Sequence, residues 1–94
     1  MFDLKNKVVL ITGATGGIGG AIAGQMKAAG ATVVITGRSA EKLSAFDDSF
    51  IKIVADLSVD GAADKLISDT IEKAGRIDVL VNNAGVLEAG LKPI

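Results

Sequence analysis

Four short apolar segments recur along the chain, separated by longer segments with a helical pattern. Each is four or five residues long, rich in β-branched residues and bordered by Gly, Asp, Asn or Ser, which is typical of buried strands. The segments are Val8–Ile11, Thr32–Thr36, Phe50–Val54 and Asp78–Asn82. The pattern therefore predicts four strands.

The segments between them predict three helices. In the first, an apolar stripe interrupted only by Gln25 is predicted to face the sheet, and Gly30 ends the helix. Its members are Ile18, Ala21, Ile22, Gln25, Met26 and Ala29. The second helix is short, with Ser39 as its cap and Leu43 and Phe46 on its inner face.

The third helix is predicted to begin near Ser58 or Asp60 and to end at Gly75. Its stripe consists of Ala63, Leu66, Ile67, Thr70, Ile71 and Ala74. The resulting order, βαβαβαβ, predicts an α/β fold with a parallel sheet and right-handed crossovers.

Composition narrows the possible functions. The 94 residues carry a net charge of −1, which favours neither nucleic acid nor an anionic membrane as a partner. The chain contains no Cys and no His, so zinc–sulfur sites and most transition-metal sites are not expected. No apolar stretch approaches the length of a membrane span. We therefore expect a cytoplasmic protein.

The strongest chemical signal is a glycine-rich turn, residues 13–19, between the first strand and the first helix. A strand, a tight glycine turn and a helix in that order direct backbone amides at an anion such as a pyrophosphate. Gly13 permits the sharp exit from the strand, Gly17 lets phosphates approach the backbone, and Gly19 lets the helix pack closely. The alternative is a loop that only turns a corner.

Two further strand ends carry candidate chemistry. After the second strand no acid is present and Arg38 follows, which favours a 2′-phosphate and hence NADP over NAD; alternatively Arg38 is a solvated surface residue. After the third strand, Asp56 is either an acceptor for an adenine amino group or a helix cap, a role for which Ser58 competes. Asn82-Asn-Ala-Gly85 ends the fourth strand, where Asn side chains pair with neighbouring loops or the chain simply turns away.

Together these motifs resemble the N-terminal half of the short-chain dehydrogenase/reductase family. The matching segments are Thr12-Gly-Ala-Thr-Gly-Gly17-Ile-Gly19, Asp56-Leu57 and Asn82-Asn-Ala-Gly85. The resemblance covers about residues 4–87 and is greatest to the 3-oxoacyl-acyl-carrier-protein reductases. It implies a truncated Rossmann-type, doubly wound sheet in the order 3-2-1-4. It also implies one dinucleotide-binding half domain over residues 1–94, with an irregular tail at 86–94.

The resemblance also implies roles for individual residues. Those near the pyrophosphate are Gly13, Gly17, Ile18 and Gly19, and those near the adenosine ribose and its phosphate are Thr15 and Arg38. Those at the adenine are Asp56 and Leu57, those along the ribose side are Asn83, Ala84 and Gly85, and Asn82 braces the central strands. Many NADP-preferring members carry a basic residue where this chain has Gly16, so the preference for NADP depends on Arg38.

The family's chemistry uses an Asn, a Ser, a Tyr and a Lys that lie beyond these motifs, and this chain has no Tyr. We therefore expect no catalytic residue here, and interpret the chain as the cofactor-binding half of an NADP-dependent ketone or alcohol reductase. A stand-alone dinucleotide-binding module and an inactive chain are the alternatives. An unpaired fourth strand predicts a homo-oligomer or association through the sheet edge.

Overall fold

The computed structural model describes residues 3–83 and contains the four strands and three helices that the sequence predicts. Their order alternates strand and helix throughout. The elements are β1 (Val8–Thr12), α1 (Gly17–Ala28), β2 (Thr32–Gly37), α2 (Ala40–Ser44), β3 (Ile51–Val54), α3 (Ala62–Ala74) and β4 (Val79–Asn82).

The strands form one parallel sheet in the order β3-β2-β1-β4, which confirms the predicted topology. β1 lies between β2 and β4, so that Leu10 is paired with Val34 on one side and with Leu80 on the other. Because all four strands run in the same direction, their carboxyl ends meet at one edge of the sheet. The candidate site residues follow those ends.

Both faces of the sheet are covered over β1 and β2. On one face, Val9, Ile11, Val33 and Ile35 form a cluster with residues of α1 and α2. On the other, a second cluster packs against α3 through Leu66. Burial of β1 and β2 on both faces explains why they are continuous apolar runs rather than alternating ones.

The predicted inner stripe of α1 is partly wrong. Ile18 is 64% exposed and Ala21 is also exposed, whereas the buried positions of the helix are Gly19 and Ala23. Ile22 and Met26 do pack against the core. At Gly19 only glycine fits, because an added Cβ would overlap backbone atoms of Gly13 and Ala14.

The predicted start of α3 is also wrong. Neither Ser58 nor Asp60 begins the helix, which starts at Ala62 after Gly61 in a left-handed conformation (φ 81°). Its end at Gly75, also left-handed at φ 89°, is as predicted. Within α3, Leu66 and Thr70 are buried, but Ile67 and Ile71 of the predicted stripe are exposed.

A carboxylate anchors the start of β4 to the start of β1. Asp78 Oδ2 accepts a hydrogen bond from the Val8 amide at 2.8 Å, and the Asp78 amide donates to the Val8 carbonyl at 2.9 Å. The Arg76 guanidinium donates to Asp78 Oδ1 from two nitrogens, at 3.0 and 2.6 Å. The contacts of Asp78 with Val8 set the register between β1 and β4. This register in turn determines how the carboxyl ends of the two strands align.

None of the helices within residues 3–83 has both the length and the apolar character that crossing a bilayer requires.

Candidate functional site

The glycine turn between β1 and α1 is held by the strands on both sides of β1. Gly13 adopts a left-handed conformation (φ 66°), which glycine adopts readily. The amide of Ala14 donates to the Thr36 carbonyl of β2 at 3.2 Å, and the Gly13 carbonyl accepts from Asn83 Nδ2, just after β4, at 3.0 Å. The peptide between Gly13 and Ala14 is therefore fixed at both of its polar ends.

Gly19 is required by packing. A Cβ at this position would overlap the Gly13 carbonyl oxygen and would lie 2.9 Å from Ala14 Cα and 3.0 Å from Asn83 Nδ2. Since two of these neighbours are backbone atoms, no side-chain movement relieves the contact. The role predicted for Gly19, close packing of the helix, agrees with this geometry.

The first turn of α1 presents unused amide groups. The first backbone bond of the helix is from the Gly20 amide to the Gly16 carbonyl at 2.9 Å. Within residues 3–83, the amides of Gly17, Ile18 and Gly19 have no acceptor, Gly16 supplies no side-chain cap, and the first turn contains no acid. Such a helix end attracts an anion, because the amides and the helix dipole both present partial positive charge.

Gly17 differs from Gly19 because no neighbouring protein atom requires a glycine at position 17. A Cβ added to Gly17 would have no atom within 4 Å, and its φ lies outside the left-handed region. Any requirement for glycine at position 17 must therefore come from something outside the described chain. This is the arrangement expected if a pyrophosphate lies against the backbone here.

Thr15 brings the turn to the end of β2. Its side chain is exposed, and a Cβ on Gly37 would come within 3.2 Å of Thr15 Cγ2. Arg38, the next residue, is exposed, while the Ser39 side chain accepts from the Lys42 amide at 3.2 Å and caps α2 as predicted. The predicted pyrophosphate and ribose-phosphate residues therefore share one end of the sheet.

Asp56 belongs to a turn rather than to a helix cap. Its Oδ1 accepts from the Ser58 hydroxyl at 2.6 Å and from the Ser58 amide at 3.0 Å, whereas α3 begins only at Ala62. The capping interpretation of Asp56 is therefore wrong. The two bonds from Ser58, and more weakly the charge of Arg38, lower the pKa of Asp56 below its ordinary value. The carboxylate is held by the Ser58 bonds, and Leu57, the next residue, is 37% exposed.

The end of β4 supplies the last candidates. The Thr12 hydroxyl donates to Asn82 Oδ1 at 3.0 Å, so Asn82 joins β4 to β1 as the bracing role requires. Asn83 is buried, with 5% exposure, and its amide is directed at the glycine turn. Ala84 and Gly85 lie outside the described residues.

Two contributions to the site were not predicted from the sequence. The Thr36 carbonyl holds the Ala14 amide, and Asn83 holds the Gly13 carbonyl. For Asn83, its position directly after a strand predicts pairing with a neighbouring loop, but nothing in the sequence identifies which loop. For Thr36 no signal exists, because every strand residue has a carbonyl.

Comparison with known proteins agrees with this geometry. Residues 7–94 match the family described as short chain dehydrogenase. The chain is 46% identical over 90 residues to a 3-oxoacyl-[acyl-carrier-protein] reductase of Rickettsia conorii, covering 92% of this chain and 36% of that protein. It is 42% identical over 94 residues to a (2S)-[(R)-hydroxy(phenyl)methyl]succinyl-CoA dehydrogenase subunit of Thauera aromatica, covering 93% and 38%.

Among solved structures, the glucose dehydrogenase of Caenorhabditis elegans superposes with a TM-score of 0.76 at 38% identity. The alignment covers 85% of this chain and 38% of that one. The chain thus spans well under half the length of the relatives it matches. The fold, the glycine turn and these matches show that the chain belongs to the short-chain dehydrogenase family and corresponds to its N-terminal part, which binds a nicotinamide dinucleotide.

Proposed function

We propose that the chain binds NADP(H), with the pyrophosphate on the first turn of α1 and the 2′-phosphate at Arg38. The observation that carries the pyrophosphate site is the group of three unused amides beside an open glycine at position 17. A diphosphate has no neighbouring carboxylate to repel it there, since the first turn lacks Asp and Glu.

The preference for the phosphorylated cofactor rests on charge at the end of β2. Arg38 is exposed at that end, and no acid lies between Thr36 and Ser39 to accept from a ribose hydroxyl. The pKa of Asp56 is lowered chiefly by the two hydrogen bonds that its Oδ1 accepts from Ser58, and only to a lesser extent by the charge of Arg38. Among the described residues, no hydrogen bond or ion pair engages the Arg38 guanidinium. Its donors are therefore available for a phosphate, whose oxygens match their fork geometry.

When bound, the nicotinamide cofactor would supply the hydride that reduces the carbonyl carbon of a ketone, while an acid would supply the proton to the oxygen. The reverse direction oxidises the corresponding alcohol. Relatives named as a 3-oxoacyl-[acyl-carrier-protein] reductase and as a hydroxy(phenyl)methylsuccinyl-CoA dehydrogenase subunit support a ketone or alcohol substrate. A 3-oxoacyl-acyl-carrier-protein is the substrate we propose.

We also propose that copies of the chain associate through the free edge of β4. Within the described residues no strand pairs with that edge, and Leu80 on it is 54% exposed. An exposed apolar edge strand offers unpaired backbone groups to another chain.

The pyrophosphate site is tested by Gly17→Ala, with Gly24→Ala as the matched control. Both substitutions add one methyl group to α1 in open space, since neither added Cβ has an atom within 4 Å. We expect Gly17→Ala to fold normally and to lose at least tenfold in NADPH affinity, because only there does the methyl group meet the ligand. Gly24→Ala should bind as the unmodified chain does. Equal affinities of all three proteins would refute the site.

The cofactor preference is tested by Arg38→Ala, with Lys42→Ala as a control that removes the same charge from the next turn. Arg38→Ala should weaken NADPH binding roughly 10-fold or more while leaving NADH binding nearly unchanged. Lys42→Ala should affect neither strongly. If Arg38→Ala weakens both cofactors equally, the choice of NADP over NAD is wrong.

A further inference from the structure

The Gly13 carbonyl is the point at which three parts of the fold meet. It accepts from Asn83 Nδ2 at 3.0 Å and from the Gly16 amide at 3.2 Å. Asn83 lies 70 residues away in the sequence and reaches the turn because β4 pairs directly with β1. The glycine turn thus depends on a side chain from the far end of the described fold.

The Asn83 amide also lies against the first turn of α1. Its Nδ2 would be 3.0 Å from a Cβ on Gly19 and 4.0 Å from one on Gly16. Asn83 is 5% exposed, so its amide is enclosed between the Gly13 carbonyl and the residues that open the helix. Without this donor, the Gly13 carbonyl would be held only by the Gly16 amide.

We propose that Asn83 is a positioning residue for the anion site: by donating to the Gly13 carbonyl, it fixes the direction in which the amides of Gly17, Ile18 and Gly19 point. This inference rests on the proposed dinucleotide binding and assigns the Asn83 side chain a role in shaping the turn rather than in touching the ligand. The chemistry requires a donor at this atom. A carboxylate would place two acceptors against a carbonyl oxygen, whereas a protonated carboxylic acid would restore the donor.

The test is Asn83→Asp, with NADPH binding measured by titration between pH 8 and pH 5 and expressed relative to the unmodified chain at each pH. At pH 8 we expect a loss of roughly 10- to 100-fold, because a buried carbonyl loses its donor and faces negative charge. As the pH falls, the relative affinity should recover, since burial beside a carbonyl favours the protonated acid. Asn83→Ala should show a loss that does not recover.

Asn82→Asp separates positioning from simple repulsion between a carboxylate and an anionic ligand. It introduces the same charge one residue earlier, where Asn82 Oδ1 accepts from the Thr12 hydroxyl and a carboxylate oxygen can do the same. We expect a smaller loss at pH 8 than for Asn83→Asp. An equal loss with an equal recovery would assign the effect to charge alone and overturn the proposal.

Thermal unfolding at each pH shows whether each variant is folded. If Asn83→Asp does not fold at pH 8, Asn83→Ala decides, and unaltered NADPH affinity in that variant would overturn the proposal. Unaltered affinity of folded Asn83→Asp at pH 8 would do so as well. If the unmodified chain binds NADPH but the variants bind equally well, only the positioning role fails. If the unmodified chain binds no dinucleotide, the proposed function and this role fail together.

Discussion

Helix α1 contains four glycines in twelve residues, and the structure identifies one whose replacement should stabilise the protein. Gly24 is exposed, has no positive φ, and would place an added Cβ in open space. Glycine in a helix interior is about 0.8–1.0 kcal/mol less favourable than alanine, because it loses more backbone freedom on folding. Gly24→Ala should therefore raise the free energy of unfolding by about 1 kcal/mol.

For a domain of this size, a gain of about 1 kcal/mol corresponds to a rise of roughly 4–8 °C in Tm. The assay is thermal unfolding followed by far-ultraviolet circular dichroism, with urea unfolding as a second measure of the free energy. Because Gly24 lies about two turns from the first amides of α1, NADPH affinity should not change.

Gly75→Ala is the matched control, since its added Cβ would also have no atom within 4 Å. Gly75, however, has φ 89°, where an L-residue is strained by roughly 1–2 kcal/mol, so this variant should be less stable than the unmodified chain. A Tm for Gly24→Ala that is unchanged or lower would refute the reasoning. Equal shifts in the two variants would show that backbone conformation does not decide the sign.

Three further predictions concern stability and association. The Thr36 hydroxyl is buried with no hydrogen-bond partner among the described residues, so Thr36→Val should raise the free energy of unfolding by on the order of 1 kcal/mol. Thr12→Val removes the bond to Asn82 and should therefore lower the free energy of unfolding. Urea unfolding measures both changes. The amide of Val8 and the Arg76 guanidinium lower the pKa of Asp78 below 3.8, so its contribution to stability is full above that pH and is lost as the pH falls through the lower folded value. Asp78→Asn should therefore be less stable than the unmodified chain at pH 7, with a difference that shrinks below about pH 4 in urea titrations. Leu80→Lys should reduce concentration-dependent association in sedimentation velocity. Val54→Lys is the control and should not reduce it, because Val54 is equally exposed at 54% but lies on the β3 edge. The opposite result would place the contact between copies on β3.

The sequence predicted the order of elements because the apolar runs of β1 and β2 are buried on both faces and are bounded by turn residues. It was correct for Ile22 and Met26 on the inner face of α1 but missed the buried Gly19 and Ala23, whose small side chains add little to an apolar pattern. The exposed Ile18 adds much more and shifted the predicted stripe. A pattern of hydrophobic residues thus predicts poorly where a helix packs closely through Gly and Ala.

The start of α3 was missed for a different reason. Ser58 and Asp60 are both residue types that cap helices, but the Ser58 hydroxyl and amide are engaged by Asp56 within the preceding turn. The helix instead begins after Gly61, which is left-handed and supplies no side-chain cap. Local composition predicts that a helix begins in this region, but the choice among neighbouring capping residues depends on which side chain is already bonded.

The sequence predicts the parts of the candidate site that depend only on residue type and on position along the chain. The sequence of strand, glycine turn and helix around Gly13 predicts unpaired backbone amides at the start of a helix. The structure contains such amides in the first turn of α1. The bonds that hold the turn could not be predicted, because they depend on which strands lie beside β1. The Ala14 amide reaches the Thr36 carbonyl on β2, and the Gly13 carbonyl is reached by Asn83 from β4.

These two bonds make the order of the sheet part of the proposed anion site. In the order β3-β2-β1-β4, the end of β1 has a neighbouring strand on each side, so one peptide can be held by its amide from one neighbour and by its carbonyl from the other. A sheet in simple chain order would leave β1 at an edge, with one of these two groups facing solvent. The crossover that places β4 beside β1 therefore fixes the glycine turn as well as completing the sheet.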